Sequence, residues 1–356
     1  MLDIKNNLFQ YRDENKNIKI AVAMSGGVDS STVAYLLKKQ GYNIIGITMR
    51  TCKDEDADAK KIADDLGIEH YVYDATKSFK EKVIDYFVKE YIDGKTPNPC
   101  MICNRNIKFG DLIDFARSKG ADFMATGHYA RLVDGKISMG DDDKKDQVYF
   151  LSQIKKEYLK YIVFPIGELE KTQVRELAKD LGVRVYAKKD SQEICFVDDG
   201  MLKEFLIEQS CGEALNPGNI VDQEGKILGK HNGLSFYTIG QRKGLGISSD
   251  TPYYVVKLDK KRNEIVVGSN EDLLRDKIEI KNMNLLAVDS LKELENLELY
   301  AKTRSRDTLH KCKVEILNEK NALVTILDGK VRAVTPGQGL VLYDKEKFVV
   351  ASGFIK

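Results

Sequence analysis

Residues 18–37 read IKIAVAMSGGVDSSTVAYLL. From Ile18 to Met24 the chain is mostly apolar, as a strand buried on both faces requires. The run stops at Ser25-Gly26-Gly27-Val28-Asp29-Ser30, and an amphipathic helical pattern takes over. A strand that feeds a helix through a glycine turn leaves backbone N–H groups pointing outward, at the helix end that carries partial positive charge. Gly26 and Gly27 permit φ > 0 and close approach of a ligand, and the serine hydroxyls add donors. Such a junction suits an anion of the phosphate kind. Asp29 is the odd member, because a carboxylate beside phosphate is repulsive unless a cation such as Mg²⁺ lies between them.

The pattern repeats outward from this junction. "NIIGITM", "EHYVYDA" and "DFMAT" read as strands, and "EDADAKKIADDLG", "SFKEKVIDYFVKEYI" and "NIKFGDLIDFARSKG" read as helices between them. This β-α-β-α order predicts an α/β fold, a parallel sheet with helices on both faces. Ligands of such sheets sit beyond the carboxyl ends of the strands, where the glycine loop, "TMRTC" and "TGHYAR" all fall. "ARLVDGKISM" predicts a hairpin and "KTQVRELAKDLGV" a further helix. From about residue 205 the chain is irregular and glycine-rich, and from about 276 it consists of short alternating runs. Evenly spaced strands without helices predict a small antiparallel β-barrel. The expected division is 1–204 for the nucleotide-binding domain, 205–275 for a mixed central domain and 276–356 for the barrel.

The composition is that of an ordinary globular protein: 356 residues, 42% hydrophobic and 31% charged. No stretch approaches the ~20 apolar residues of a membrane helix, and the first residues lack the apolar core of a secretion signal, so a cytoplasmic location is expected. Fifty-six basic and fifty-five acidic residues nearly cancel, a balance that neither demands nor excludes a nucleic acid partner. Six cysteines in a reducing compartment point to chemistry or metal before structural disulfides. Cys100 and Cys103 form a C-x-x-C in "TPNPCMICNRNIKF", and Cys195 lies in "KKDSQEICFV". A C-x-x-C at a helix start is expected to have lowered thiol pKa values, suited to a nucleophile or a metal ligand. Cys52, Cys211 and Cys312 read as isolated residues. Three thiolates could hold a cluster with one open iron, or two could act as nucleophile and persulfide carrier; spacing leaves both open.

The loop "SGGVDS" lacks the lysine of the ATPase P-loop and resembles the pyrophosphate loop of the ATP-pyrophosphatase superfamily, which cleaves ATP to AMP and pyrophosphate. Taken with "TPNPCMICNRNIKFG", "ATGHYAR", "KDQVYFLSQ", "KDSQEICFV", "GLSFYTIGQRKGLGI", "AKTRSR" and "TPGQGLVLY", the chain resembles the bacterial tRNA-specific 2-thiouridylase (MnmA) family from about residue 18 to its end. The resemblance implies adenylation of the 2-carbonyl oxygen of a wobble uridine by ATP, then attack of sulfur at that carbon. It implies that Ala23, Met24, Ser25, Gly26, Gly27, Val28, Asp29 and Ser30 hold the ATP phosphates with Mg²⁺, with Met49 and Gly127 at the adenosine. Cys103 would be the thiol beside the base, and Cys195 would carry the persulfide. The sulfur would come from a cysteine desulfurase, a relay protein or free sulfide. Asn98, Pro99 and Cys100 would meet the flipped-out base, a step needed because a stacked base hides its reacting carbon. His128, Lys145, Asp146, Gln147, Arg304, Ser305 and Gln338 match positions that the family uses against tRNA.

Two departures stand out. Well-known members have aspartate at the position of Cys100, so a Cys100–Cys103–Cys195 set resembles that of cluster-dependent tRNA thiolases and implies a [4Fe–4S] cluster. The segment after Met49, "RTCKDEDADAKKIADDLG", is also shorter than usual. Rival readings are an amidating ligase with the same loop, and a nucleotide or metal sensor without turnover. The ligase needs no thiol set. Asp29 and the carboxy-terminal barrel weigh against the sensor.

Overall fold

The computed structural model describes residues 11–52, 56–188, 194–248 and 250–356. In chain order the first part runs β1 (Lys19–Ala23), α1 (Val28–Lys39), β2 (Asn43–Arg50), α2 (Asp56–Leu66) and β3 (His70–Asp74). Helices α3 (Thr76–Phe79) and α4 (Asp85–Ile92) are joined through a π-segment, Lys80–Ile84. Helix α5 (Pro99–Cys103) continues through a second π-segment, Asn104–Asp111, into α6 (Leu112–Ser118). Then follow β4 (Phe123–Ala125), the hairpin β5 (Ala130–Val133) and β6 (Lys136–Met139), α7 (Val148–Leu151), β7 (Ile162–Val163) and α8 (Lys171–Asp180).

Strands β3-β2-β1-β4-β7 form one sheet, parallel throughout, with β1 at the centre. The apolar run through β1 serves two cores at once, as strand geometry requires of alternate residues. Ile20 and Val22 pack against Val33, Ala34 and Leu37 of α1 and Ile62 of α2. Ala21 faces the other way, toward Leu112, Ile113 and Ala116 of α6. Helices therefore cover both faces. The order of strands reverses at β1, which places a crevice at the carboxyl end of β1, between β2 and β4.

Helix α9 (Leu202–Gln209) leads into β8 (Gly218–Val221), β9 (Ile227–His231), β10 (Tyr254–Asp259) and β11 (Glu264–Gly268), a sheet of order β10-β11-β8-β9 in which only β8 and β11 run parallel. The last part contains β12 (Leu274–Arg275), β13 (Lys277–Leu285), β14 (Leu299–Lys302), β15 (His310–Asn318), β16 (Asn321–Ile326), β17 (Val331–Arg332), β18 (Gly339–Tyr343) and β19 (Val349–Ile355). Six of these close into an antiparallel barrel, β13-β16-β15-β14-β18-β19. Alternate residues fill its inside, such as Ala322, Val324 and Ile326 of β16.

Two barrel strands are buried along their whole length. Leu340 and Leu342 of β18 point into the barrel, whereas Val341 and Tyr343 join the core beneath α6. Val349 and Phe354 of β19 do the same. The barrel is thus packed directly on the parallel-sheet domain, and "GLVLY" reads apolar at every position because both its faces are covered. Among the described residues no helix is long and apolar enough to cross a membrane.

Candidate active site

Three segments meet beyond the carboxyl edge of the parallel sheet. The first is the loop after β1. Gly26 has φ +65°, and a Cβ there would lie 2.8 Å from Cβ of Asp58, so only glycine lets the turn pass α2. Ser25 is exposed and its N–H donates to Ser30 Oγ (3.2 Å), while the two hydroxyls lie 3.2 Å apart. Ser31 does not contribute a donor to the loop: it is fully buried and its hydroxyl donates to Gly27 O (2.6 Å).

Asp29 is held from below. Lys171 Nζ, at the first position of α8, donates to Asp29 Oδ1 and Oδ2 (2.7 and 2.8 Å), and the Tyr129 hydroxyl donates to Oδ1 (2.9 Å). Lys171 is 9% exposed. A cation at a helix amino terminus opposes the helix dipole, and its burial costs solvation, so the pair is placed for the loop rather than for the helix. Lys188 flanks the same turn, donating to Gly26 O (3.2 Å) and Asp58 Oδ2 (3.0 Å). Neither lysine was evident in the sequence, because each reaches the loop from far along the chain.

The second segment follows β4. Gly127 presses on the start of α1: a Cβ there would lie 2.8 Å from both the carbonyl carbon of Asp29 and the nitrogen of Ser30. Met49, at the end of β2, is half-buried and touches both the core under the barrel and the core around Cys103. Ala23 to Ser30, Met49 and Gly127 therefore gather around the crevice. His128 Nδ1 is 2.7 Å from Thr126 Oγ1, and its ring packs beside Phe109 and Phe164. Burial, with a smaller push from the Lys108 charge, holds this imidazole neutral, well below the usual histidine range. Gln147 Oε1 accepts from Tyr129 N–H (3.0 Å), and Asp146 Oδ1 accepts from Gly140 N–H (3.0 Å), so these two residues tie loops together. Burial pushes the Asp146 carboxyl up to about 6, against hydrogen bonds from the Gly140 and Val148 amides and the nearby Lys302 charge. Lys145 is half-buried beside them.

The third segment carries the cysteines. Asn98 caps α5, its Oδ1 accepting from Met101 N–H (3.2 Å), and Pro99 stands at the first helical position, where a missing N–H costs nothing. Gln338, from the barrel, clamps this turn: its Nε2 donates to Thr96 O (2.9 Å) and Pro97 O (3.3 Å), and its Oε1 accepts from Asn98 Nδ2 (3.5 Å). Arg304 is exposed on the barrel loop and Ser305 half-buried beside it. That loop is shaped by Asp307 Oδ2, which accepts from Thr303 N–H and Oγ1 (3.1 and 2.7 Å).

Cys103 is buried among Phe79, Val83, Phe87, Ile107 and Phe196, and Phe196 is the residue after Cys195. The two distant cysteine segments thus share one apolar cluster, and Cys195 is itself exposed. The expected lowering of the thiols is overturned. Burial pushes Cys103 up to about 12, with the neighbouring Cys195 and Cys100 thiols adding to the rise and Lys108 opposing it. Cys100 also rises, mainly through desolvation by the surrounding protein although its own surface is open, again against Lys108. The helix start is outweighed because the thiols sit in an apolar setting. Lys108, a further residue the motifs did not single out, is the cation common to Cys100, Cys103 and His128.

The three cysteines do not form a metal site in this arrangement. Among the described residues no group of three or more His, Cys, Asp or Glu is placed to hold a metal ion, so the [4Fe–4S] reading finds no support. Cys103 is a protonated, buried thiol, and Cys100 and Cys195 lie at the surface on separate segments. Part of "KKDSQEICFV", residues 189–193, lies outside the described residues. Cys52 and Cys211 are exposed, and Cys312 is buried inside the barrel.

A glycine loop shaped for an anion and a carboxylate paired with a lysine lie at the edge of a parallel-sheet domain, and Met49 at that edge also touches the apolar cluster shared by Cys103 and the Cys195 turn. Family models match the chain along nearly its whole length: "tRNA methyl transferase HUP domain" at residues 18–199, "tRNA methyl transferase PRC-barrel domain" at 203–269 and "Aminomethyltransferase beta-barrel domain" at 275–355. The chain is 64% identical to tRNA-specific 2-thiouridylase MnmA 1 of Fusobacterium nucleatum over 98% of its length and 96% of that protein. It is 42% identical to tRNA-specific 2-thiouridylase MnmA of Clostridium acetobutylicum, over 96% of this chain and all of the relative. The chain belongs to the MnmA family of tRNA-specific 2-thiouridylases.

Proposed function

We propose that this protein is a tRNA-uridine 2-sulfurtransferase that cleaves ATP to AMP and pyrophosphate and delivers sulfur through Cys195 and Cys103. The observation that carries the reading is the convergence of Cys103 and the Cys195 turn in one cluster next to Met49 at the sheet edge.

In this reading the ATP phosphates lie over Ala23–Ser30 and the adenosine at Met49 and Gly127. The loop fits them: only glycine at position 26 lets the turn pass α2, and the Asp29 carboxylate lies in the loop itself, held by Lys171 and Tyr129. Mg²⁺ bound with the nucleotide would neutralise charge between Asp29 and the phosphates. The uridine 2-oxygen attacks the α-phosphorus, and pyrophosphate leaves. The base, held out by Asn98, Pro99 and Cys100, then presents an activated C2. The terminal sulfur of a Cys195 persulfide attacks C2, and AMP leaves with the oxygen. The Cys103 thiol next attacks the Cys195 sulfur, releasing the 2-thiouridine sulfur with its electron pair and leaving a Cys103–Cys195 disulfide. An external thiol reductant reopens it. Burial raises the Cys103 thiol and the Lys108 charge opposes that rise, so Lys108 would favour the thiolate that attacks.

Residues 1–204 would carry this chemistry, with 205–275 and the barrel at 276–356 gripping tRNA. Lys145, Arg304 and Ser305 suit direct contact. His128, Asp146, Gln147 and Gln338 suit shaping of the surfaces that tRNA meets, given their partners within the protein. The sulfur donor in this reading is a persulfide-bearing protein, which transfers its outer sulfur to the Cys195 thiolate and keeps its own sulfur as a thiol. The test is pyrophosphate release with tRNA or amino acids as co-substrate, together with mass analysis of tRNA nucleosides. Release that depends on tRNA, with 2-thiouridine formed, supports the proposal; release that depends on an amino acid, or none with either, overturns it.

A further inference from the structure

Two motif segments remain without a role in the chemistry, "NRN" after Cys103 and "YFLSQ" after α7 begins. They meet in a polar network that joins the cysteine helix to the barrel. Arg105 Nη1 donates to Gln153 O (3.0 Å), Gln153 Oε1 (3.3 Å) and Asn284 Oδ1 (3.0 Å). Asn284 Nδ2 donates to Ser152 O (3.0 Å) and Ile154 O (2.8 Å). Gln153 Nε2 donates to Ser352 Oγ (2.8 Å), which donates to Ser152 O (2.8 Å). Gln153, Asn284 and Ser352 are each buried. One residue ahead of Arg105, Asn104 Nδ2 donates to Phe150 O (2.9 Å). Nearby, the fully buried Tyr149 hydroxyl donates to Gly339 O (2.9 Å) of β18.

The barrel is bent to make this contact. Strand β13 shifts register between Lys281 and Asn284, and Asn282 has φ +54°, a left-handed conformation. Such a bulge re-aims a side chain, here Asn284. Gly353 of β19 leaves room for the distorted segment, since a Cβ there would lie 3.0 Å from both Lys281 O and Met283 Sδ. A bulge and a partly desolvated guanidinium are costly features to place at an interface that apolar residues of β18 and β19 already seal.

We propose that Arg105 and Asn284 are positioning residues that fix the Cys103 helix in height and rotation against the barrel. This rests on the sulfurtransferase reading: a barrel that grips tRNA then determines where the target base lies, and the network sets Cys103 to meet it. Arg105 sits two residues after Cys103 and on the same continuous helix, so a slip there moves the thiol.

The test compares wild type with R105M, R105K and N284A in three measurements on the full chain. These are single-turnover thiolation at saturating tRNA and ATP, tRNA affinity by filter binding, and alkylation of Cys103 by iodoacetamide read by peptide mass. The expected result is a loss of roughly tenfold or more in single-turnover rate for R105M and N284A, as misplacement of a reacting group produces. Their tRNA affinity should stay within about threefold, so that the loss lies in the chemical step. Cys103 should label roughly fivefold faster in both, as its helix loosens. R105K, which keeps a donor cation in reach, should behave as wild type. An unchanged turnover rate in folded R105M and N284A, a loss confined to tRNA affinity, or unchanged Cys103 labelling overturns the inference. If R105M does not fold, N284A and R105K decide alone. A wild type that makes no 2-thiouridine while Cys103 labelling still responds contradicts the functional reading and leaves the positioning role standing.

Discussion

Two turns feed helices at this sheet edge, 25–27 into α1 and 96–98 into α5, and they prepare opposite kinds of chemistry. In the first, the resting state is already charged and compensated: Asp29 is bound by Lys171 and Tyr129, and the backbone is shaped by Gly26 and Gly127. In the second, the resting state is neutral and shielded: Cys103 is buried, and its thiol stands far above the ordinary range. If the first turn takes ATP, as proposed, it can be left armed, since the nucleotide would bring its own charge and metal. An armed thiolate would react with any soft electrophile or oxidant, so burial defers it.

The largest effects should come from the second turn. Cys103→Ser and Cys195→Ser should each lower thiolation by about 10³-fold or more while a first turnover of tRNA-stimulated pyrophosphate release persists, measured by nucleoside mass analysis beside pyrophosphate release. Loss of both activities together would erase the distinction between the two turns. Next, Gly127→Ala should force the new methyl against Asp29 and Ser30, costing about 1–3 kcal/mol of loop geometry and roughly tenfold or more in ATP affinity by calorimetry. Cys103 alkylation should stay unaffected in that variant. Lys108→Met should slow single-turnover thiolation by about tenfold, with Lys108→Arg near wild type, because a nearby cation favours the thiolate.

The smallest effect concerns pH. The Asp146 carboxyl is raised to about 6 in the folded protein, so between the ordinary aspartate range and pH 6 the folded state holds a proton that the unfolded state has lost. Stability contributed by this group is fully present below the unfolded value and is lost as pH rises toward 6. Wild type should therefore lose on the order of 1 kcal/mol relative to Asp146→Asn across that interval, read from urea unfolding. Cys103 follows the same sign at the other end, with stability falling as pH climbs above the ordinary thiol range toward 12.

Much of the fold could be read from local pattern. The switch from a two-face apolar strand to an amphipathic helix at Ser25 identified the parallel sheet, and "ARLVDGKISM" folds as its turn residues require, with Asp134 and Gly135 both at positive φ. The barrel followed from alternation in strands such as β16. What stayed hidden depends on contacts across the chain. No periodicity could reveal that Lys171 would bind Asp29, or that Asn284 would turn inward at a bulge to reach Arg105. The thiol shifts are hidden for the same reason: a helix start is visible in "NPC", but the phenylalanines that bury Cys103 come from α3, α4 and the Cys195 turn. The π-segments at Lys80–Ile84 and Asn104–Asp111 were also invisible, since their residues keep ordinary helical composition.

The central claim is that sulfur passes through the Cys195–Cys103 pair rather than through a cluster. Its most direct test is to load the anaerobically purified protein with isotopically labelled persulfide sulfur and determine its iron content. Unlabelled tRNA and ATP are then added for a single turnover. The account predicts label on the Cys195 peptide before turnover, label in 2-thiouridine afterwards, a Cys103–Cys195 disulfide at the end and no requirement for iron. Turnover that requires about four irons per chain, is lost in Cys100→Ala and leaves no label on Cys195 would contradict it.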